Sequence, residues 1–127
     1  MQSFKWINYH ELATTLYKER KEEYIRSAIS RDYYACFNLC KNYLVQQRKI
    51  QDTKKTNVHI DVSRQLRESK NEKEKEIGKI LHKFRKLRNK SDYDADKQSS
   101  IKILNSKNKC QIYSKTILKI LKKLKNE

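Results

Sequence analysis

Proline is absent from this 127-residue sequence, and Gly78 is its single glycine. β-Hairpins depend on these two residue types at their tight turns, so a β-sandwich or a β-barrel is disfavoured. Apolar residues make up 36% of the chain, which is less than the usual share in a globular domain. The core is therefore predicted to be thin, with long charged helices around it, and such subunits often gain stability by pairing.

The sequence also has no run of roughly 20 apolar residues, the length that crosses a bilayer. Its first twelve residues carry charged side chains within their only apolar stretch, which does not fit a signal peptide. The cysteines are odd in number and match no disulfide framework: Cys36, Cys40 and Cys110. We therefore expect a protein of the reducing cytoplasm, without a membrane partner.

Acidic residues are few, with 15 Asp and Glu against 31 Lys and Arg, and the formal net charge is +16. Such an excess favours polyanionic partners, with nucleic acid ahead of anionic membrane. Lys, Asn and Ile are all abundant, as expected from an AT-rich genome, so part of the charge has an explanation in base composition alone.

Apolar residues recur at spacings of three and four, which is typical of helices with one buried face. The pattern predicts helices over residues 7–21 and 22–47, a short one over 58–66, a fourth marked by apolar residues from 77 to 87 and one over 101–125. The last has five residues facing inward: Ile112, Ile117, Leu118, Leu121 and Leu124. Polar residues predict loops over 51–57 and 94–100, and the charged run 69–76 separates the third and fourth helices. Short links favour antiparallel neighbours, so we predict an all-α fold, an up-and-down bundle of four to five helices in a single domain, 1–127.

Two segments stand out beyond their periodicity. Residues 26–37, on the second helix, read RSAISRDYYACF, and residues 87–94, at the end of the fourth, read LRNKSDYD. Together they resemble the S-R-x-Y-Y-A-x-F and L-R-x-x-x-D-Y-D signatures of a subfamily of the HEPN helical bundles. The resemblance covers nearly the whole chain, because residues 6–16 and 58–66 fall where that family has its first and third helices.

The resemblance implies a helical bundle that forms a homodimer and acts on RNA. Many members are metal-independent endoribonucleases of toxin–antitoxin, CRISPR-linked or abortive-infection systems. It thus implies no cofactor and no metal, with an antitoxin or a defence-complex subunit as a further partner. The shared motif of these nucleases is arginine, a polar residue, three spacers and histidine, and two copies meet across the dimer. Arg88 and Asn89 match its first half, whereas Tyr93 stands where the motif has histidine.

Metal-independent RNA cleavage needs a base for the 2′-hydroxyl, an acid for the leaving oxygen and positive charge for the phosphorane. Arginine supplies the charge, but tyrosine, with a pKa of about 10, is a poorer base than histidine at about 6.5. Arg88 follows Phe84 by four residues, on the side of the apolar stripe, and Asp92 lies one turn further. The predicted catalytic residues are Arg88, Asn89, Asp92 and Tyr93, with Tyr93 or Asp92 in place of the histidine.

The residues predicted to bind RNA combine the second-helix motif with the basic run of the fourth helix: Ser30, Arg31, Tyr34, Lys83, Arg85 and Lys90. Three alternatives stay open, and the last of them is a basic structural protein unrelated to RNA. The first is that Arg88–Asp92 and Arg31–Asp32 are ion pairs that hold the bundle together. The second is a non-catalytic HEPN module, a nucleic-acid-binding or scaffold subunit of a larger defence complex, which the missing histidine favours.

The remaining candidate sites have simpler explanations. Cys36 and Cys40 share a helix face, and His10 or His59 could approach them as zinc ligands, but small buried cysteines explain the spacing better. Gly78 has no phosphate-loop context and is predicted to mark a close contact between helices.

Overall fold

The computed structural model describes residues 5–47, 49, 58–93 and 100–127. Within these ranges the chain forms five helices and no β-strand: α1 (Ile7–Leu16), α2 (Glu22–Gln46), α3 (Val58–Arg67), α4 (Glu72–Tyr93) and α5 (Ser100–Lys125). The predicted all-α helical bundle is therefore confirmed. The loops predicted over 51–57 and 94–100 lie outside the described residues, apart from Ser100, which begins α5. None of the described helices is both long and apolar enough to cross a membrane.

Helix α2 lies at the centre of the bundle and packs against the other four helices, while α4 packs against α3 and α5 as well. Most of the core side chains along α2 recur at spacings of three and four, as the sequence predicts. Cys36, Cys40 and Cys110 have free thiols and no exposed surface, which confirms the prediction that Cys36 and Cys40 are small buried residues. Cys36 and Cys40 belong to α2 and Cys110 belongs to α5, so these two helices share one core.

Helix α4 begins at Glu72, inside the charged run that was predicted to separate it from α3, so that predicted boundary is wrong. Asn71 supplies the reason. Its side-chain oxygen accepts hydrogen bonds from the backbone N–H groups of Lys73, at 2.9 Å, and Glu74, at 3.1 Å. Such a cap satisfies the free donors of a first turn, and acidic residues there favour the helix dipole. The first helix is in turn shorter than predicted, because α1 ends at Leu16.

Glu74 is the buried anchor between the end of α2 and the start of α4, with 1% of its surface exposed. Its carboxylate accepts hydrogen bonds from the Tyr43 hydroxyl at 2.5 Å and from the Ser69 hydroxyl at 2.8 Å. The ammonium of Lys49 donates to both carboxylate oxygens, at 2.7 and 2.6 Å. Burial opposes the charged form of Glu74, but these donors outweigh it and lower the pKa of the carboxyl.

Gly78 lies where the backbones of α3 and α4 come close together. A Cβ atom at this position would meet the backbone nitrogen of Arg67 at 2.6 Å and the Cβ atom of Leu66 at 2.9 Å. No side chain larger than hydrogen fits there without movement of α3. The predicted role of Gly78, a close contact between helices, is confirmed.

The prediction that Ile112 faces inward is wrong, because 63% of its surface is exposed. The buried side of α5 carries Ile103, Cys110, Ser114 and Ile117. Ile112 follows Cys110 by two residues, and each residue turns the helix by about 100°. Ile112 therefore lies on the side of the helix opposite Cys110 and points away from the core.

Candidate functional site

The two motif segments meet where the middle of α2 runs beside the end of α4. The hydroxyl of Ser30 donates a hydrogen bond to Oδ2 of Asp92 at 3.3 Å, and Arg26 donates one to the backbone oxygen of Ser91 at 3.0 Å. The guanidinium of Arg88 donates to the hydroxyl of Tyr34 at 2.6 Å. Three direct hydrogen bonds between α2 and α4 therefore hold the two segments together.

Arg88 is the centre of this cluster, and 12% of its side chain is exposed. Its Nε atom lies 2.8 Å from Oδ2 of Asp92, and its Nη1 atom donates to the side chain of Asn89 at 2.9 Å. The guanidinium also lies over the rings of Tyr34, at 4.7 Å, and Tyr33, at 5.8 Å. The ion pair between Arg88 and Asp92, one of the alternatives left open by the sequence, is thus present. A guanidinium held on several sides has a fixed orientation for an incoming anion.

Arg31 points away from this cluster, toward α1. Its Nε atom donates to the hydroxyl of Ser27 at 3.1 Å, and its guanidinium carbon lies 5.8 Å from the ring centre of Tyr9. Asp32, the next residue, is fully buried and has other partners, so the described residues hold no Arg31–Asp32 ion pair. Nδ1 of His10 lies 2.7 Å from Oδ1 of Asp32, and the hydroxyl of Tyr17 donates to Oδ2 at 3.1 Å. Asp32 therefore ties α1 to α2.

The basic residues of α4 divide between two faces. Lys79, Lys83, Lys86 and Lys90 are all exposed, and their spacing places them on one stripe on the solvent side of the helix. Arg88 lies about half a turn from that stripe, against α2. Arg85 is half-buried, on the side of Arg88. The structure therefore groups Ser30, Tyr34, Arg85 and Arg88 and separates Lys83 and Lys90 from them.

His59 joins the cluster, although the sequence singled it out only as a potential zinc ligand. Its Nδ1 atom lies 2.9 Å from the hydroxyl of Tyr33, and its ring stacks on Phe37 at a centroid distance of 3.9 Å. The ring of Tyr34 meets it edge-on at 5.8 Å. One sequence signal was present: the buried residues Val62 and Leu66 follow His59 by three and seven, which puts it on the inner face of α3.

Burial, followed by the positive charges of Arg85 and Arg88, lowers the pKa of His59 to about 4. The imidazole is therefore uncharged at neutral pH. It lies on the same tyrosine pair as Arg88, so the Arg88 guanidinium and the neutral imidazole both contact Tyr33 and Tyr34.

Neither histidine named as a potential zinc ligand faces the cysteines. His10 is paired with Asp32, and His59 is bonded to Tyr33. Across the described ranges, no three side chains of the metal-binding types His, Cys, Asp and Glu come together. Tyr93 is the last residue of α4, and its side chain and the whole of Asp94 lie outside the described part of the chain.

No protein-family model, curated protein or solved structure matches this chain. The resemblance to the HEPN family thus depends on the two motif segments and on their order along the sequence.

Proposed function

We propose that this protein is a HEPN-type RNA-acting domain and a metal-independent endoribonuclease of a toxin–antitoxin or antiphage defence system. The observation that carries the proposal is the position of Arg88, held between Tyr34 and Asp92 where the two motif segments meet. A guanidinium that is already oriented in a half-buried site stabilises developing phosphorane charge without reorganisation. Arg88 is therefore the proposed phosphate-binding group, and Asn89, which accepts a hydrogen bond from it, orients it.

Cleavage in this proposal is an internal transfer at the phosphodiester. The 2′-hydroxyl gives its proton to the carboxylate of Asp92, the 2′-oxygen bonds to phosphorus, and the bond from phosphorus to the 5′-oxygen breaks. The departing 5′-oxygen takes a proton from Tyr93. The products are a 2′,3′-cyclic phosphate and a free 5′-hydroxyl. Asp92 suits the first step by position, since one of its oxygens forms an ion pair with Arg88, the phosphate-binding group, and accepts a hydrogen bond from Ser30.

The lysine stripe on α4 is the proposed basic surface that attracts the phosphate backbone of the RNA. Lys79, Lys83, Lys86 and Lys90 are exposed along several turns of one helix, and the net charge of the whole chain is +16. Basic side chains that neutralise phosphates release counterions, so binding is expected to weaken steeply as salt rises. The stripe contributes affinity, whereas the chemistry belongs to the Arg88 cluster on the opposite side of α4.

A second candidate function is a non-catalytic HEPN module that binds RNA within a larger defence complex. Two observations favour it. Tyr93 replaces the motif histidine, and the guanidinium of Arg88 already forms an ion pair with the carboxylate of Asp92. In this case the cluster holds RNA without cutting it.

RNA cleavage by purified protein at neutral pH, with EDTA present, distinguishes the two candidates. In the endoribonuclease, Arg88→Ala should slow cleavage roughly 100- to 1000-fold, which is typical for removal of an electrostatic stabiliser. Arg88→Lys should recover only part of the rate, because lysine keeps the charge but not the bidentate geometry. Arg64→Ala is the matched control, since Arg64 is an exposed arginine of α3. Wild-type protein that binds RNA but leaves it intact would instead support the binding module.

Thermal unfolding of the same variants tests the remaining alternative, in which Arg88 and Asp92 only hold the bundle together. If Arg88→Ala and Arg88→Lys both unfold at a much lower temperature than Arg64→Ala, the structural role is favoured. If all three unfold near the wild type while only the Arg88 variants lose cleavage, the catalytic proposal is supported.

A further inference from the structure

The hydroxyl of Tyr33 determines which nitrogen of His59 carries the proton. Tyr33 is buried, with 1% of its surface exposed, and a buried hydroxyl needs an acceptor for its hydrogen. Among the described residues its hydrogen-bond partner is Nδ1 of His59, at 2.9 Å. The phenol therefore donates to Nδ1, since burial also raises the pKa of Tyr33 and keeps it protonated. The proton of the neutral imidazole is then on Nε2.

The surroundings keep this imidazole uncharged. Helix α3 packs against α2 and α4, and the charged groups facing His59 from α4 are Arg85 and Arg88. The titratable groups in contact with it from α2 are the phenols of Tyr33 and Tyr34. Both charges are positive, so protonation of the ring would place a third cation beside two others. His59 therefore remains a hydrogen-bond donor of fixed, neutral form across the physiological pH range.

The donor is also directed and accessible. Stacking on Phe37 at 3.9 Å and the bond to Tyr33 fix the plane of the ring. Nε2 has no hydrogen-bond partner within the described part of the chain, and part of its surface is exposed to solvent. An N–H group that is fixed, partly open to solvent and beside Arg85 and Arg88 is suited to an anionic oxygen.

We infer that His59 is a recognition residue whose Nε2–H group binds a phosphate oxygen of the RNA strand that Arg88 engages. This inference rests on the proposed RNA-acting function and adds to it a ligand contact without charge. His59 is not a base in this role, because Nδ1 already accepts the hydroxyl of Tyr33 and Nε2 already carries a proton. The neutral donor adds a hydrogen bond to the phosphate backbone without repelling Arg85 and Arg88.

Binding of a fluorescent 2′-O-methyl oligoribonucleotide, which cannot be cleaved by attack of the 2′-oxygen, tests the inference. His59→Ala should weaken binding about tenfold, the expected loss for a hydrogen bond to a charged group. The slope of log affinity against log salt should stay unchanged, because no charge is removed. Arg88→Ala should reduce that slope by about one. His82→Ala is the matched control, since His82 is a half-exposed histidine on α4 outside the cluster, and it should bind as the wild type does.

Tyr33→Phe gives a second variant that keeps the ring volume in the core. It removes the group that fixes the protonated nitrogen, so binding should weaken about threefold as the ring divides between its two neutral forms. Nitrogen chemical shifts of the imidazole in the RNA-free protein provide an independent reading. We expect a neutral ring that is protonated on Nε2 at pH 7 and that titrates near pH 4.

Several outcomes would overturn the inference. These are an affinity of His59→Ala equal to that of His82→Ala, a salt slope that falls by about one in His59→Ala, and a loss confined to one base sequence. A ring protonated on Nδ1, or a cationic ring at pH 7, would do the same. If Arg88→Ala alone weakens binding, the role of His59 is wrong while the proposed function stands. If the wild type binds no RNA at low salt, the proposed function itself fails.

Discussion

Oδ2 of Asp92 lies 2.8 Å from Nε of Arg88, one helical turn back along α4, and also accepts a hydrogen bond from Ser30 at 3.3 Å. The carboxylate therefore sits where a phosphate oxygen would approach the guanidinium. Any RNA that binds Arg88 must either displace this carboxylate or share the guanidinium with it. Asp92 thus has two effects in the proposed enzyme, because it accepts a proton during cleavage and competes with the substrate before it.

Replacement of Asp92 by asparagine separates these effects. Asp92→Asn should bind single-stranded RNA about three- to tenfold more tightly, because a charge-assisted competitor is removed from Arg88. The same variant should cleave at least 100-fold more slowly, since the amide cannot accept the proton. Fluorescence anisotropy and a cleavage assay measure the two quantities. Asp61→Asn is the control, as Asp61 forms an exposed ion pair on α3, and equal or weaker RNA binding by Asp92→Asn would contradict the prediction.

Glu74 should contribute more to stability than any exposed acidic residue of α4. In Glu74→Gln the amide keeps the volume but loses the charge and turns one acceptor into a donor toward Tyr43, Lys49 or Ser69. The free energy of unfolding should fall by about 2 to 4 kcal/mol. Urea denaturation measures this loss. Glu72→Gln, at an exposed pair with Lys75, should change it by less than about 0.5 kcal/mol.

The same residue predicts how stability depends on acid. The pKa of Glu74 is lowered in the folded protein from its ordinary 4.5, so the unfolded chain takes up the proton first as the pH falls. The stabilisation by Glu74 is therefore complete above pH 4.5 and disappears as the pH drops through the lowered value. Urea midpoints of the wild type and Glu74→Gln should differ most at neutral pH and converge in acid. A difference that stays constant down to pH 3 would show that the carboxylate charge is not involved.

Gly78→Ala should destabilise the bundle although alanine is the better helix former. The added methyl group would lie 2.6 Å from the backbone nitrogen of Arg67, so α3 must move away from α4. We expect a loss of about 1 to 3 kcal/mol, the usual effect of overpacking. Lys79→Ala, at the next and exposed position, should be neutral within about 0.5 kcal/mol. Thermal unfolding that leaves Gly78→Ala as stable as Lys79→Ala would mean that the two backbones have room to separate.

We also predict a homodimer whose interface includes the end of α4 and the exposed apolar face of α5. Ile101, Leu104 and Ile112 are exposed by 75%, 49% and 63%, and their spacing places them on one face of α5, opposite the core. Sedimentation at micromolar concentration should give about twice the chain mass of 15.4 kDa. Ile101→Asp should shift the protein toward the monomer, whereas Leu12→Asp, which changes an exposed apolar residue of α1, should not. A wild-type monomer would exclude a site composed of two chains.

The helices were predictable because their apolar spacing is a local property of the sequence. Residues 22–47 illustrate this, since nearly the whole predicted span is helical in α2. The start of α4 is not evident from the apolar pattern, because residues 69–76 are mostly charged and suggest a break between helices. The side-chain amide of Asn71 nevertheless caps a helix within this run. Ile112 was assigned to the core for a related reason: hydrophobicity alone does not say which side of a helix has a partner.

The candidate site was predictable only where the motif residues themselves make it. Four of the predicted residues are neighbours in the structure: Arg88, Asp92, Ser30 and Tyr34. His59 comes from a different helix and joins them through its hydrogen bond with Tyr33. Long-range partners of this kind leave no spacing signal in one sequence.

The three buried thiols provide an internal reporter of how often the bundle opens. Burial raises the pKa of Cys40 to about 12 and also raises the pKa values of Cys36 and Cys110, so almost no reactive thiolate exists in the folded state at neutral pH. An alkylating reagent can therefore modify them only while the core is transiently exposed. Because two of the thiols belong to α2 and one to α5, their modification rates compare the opening of two helices in the unaltered protein.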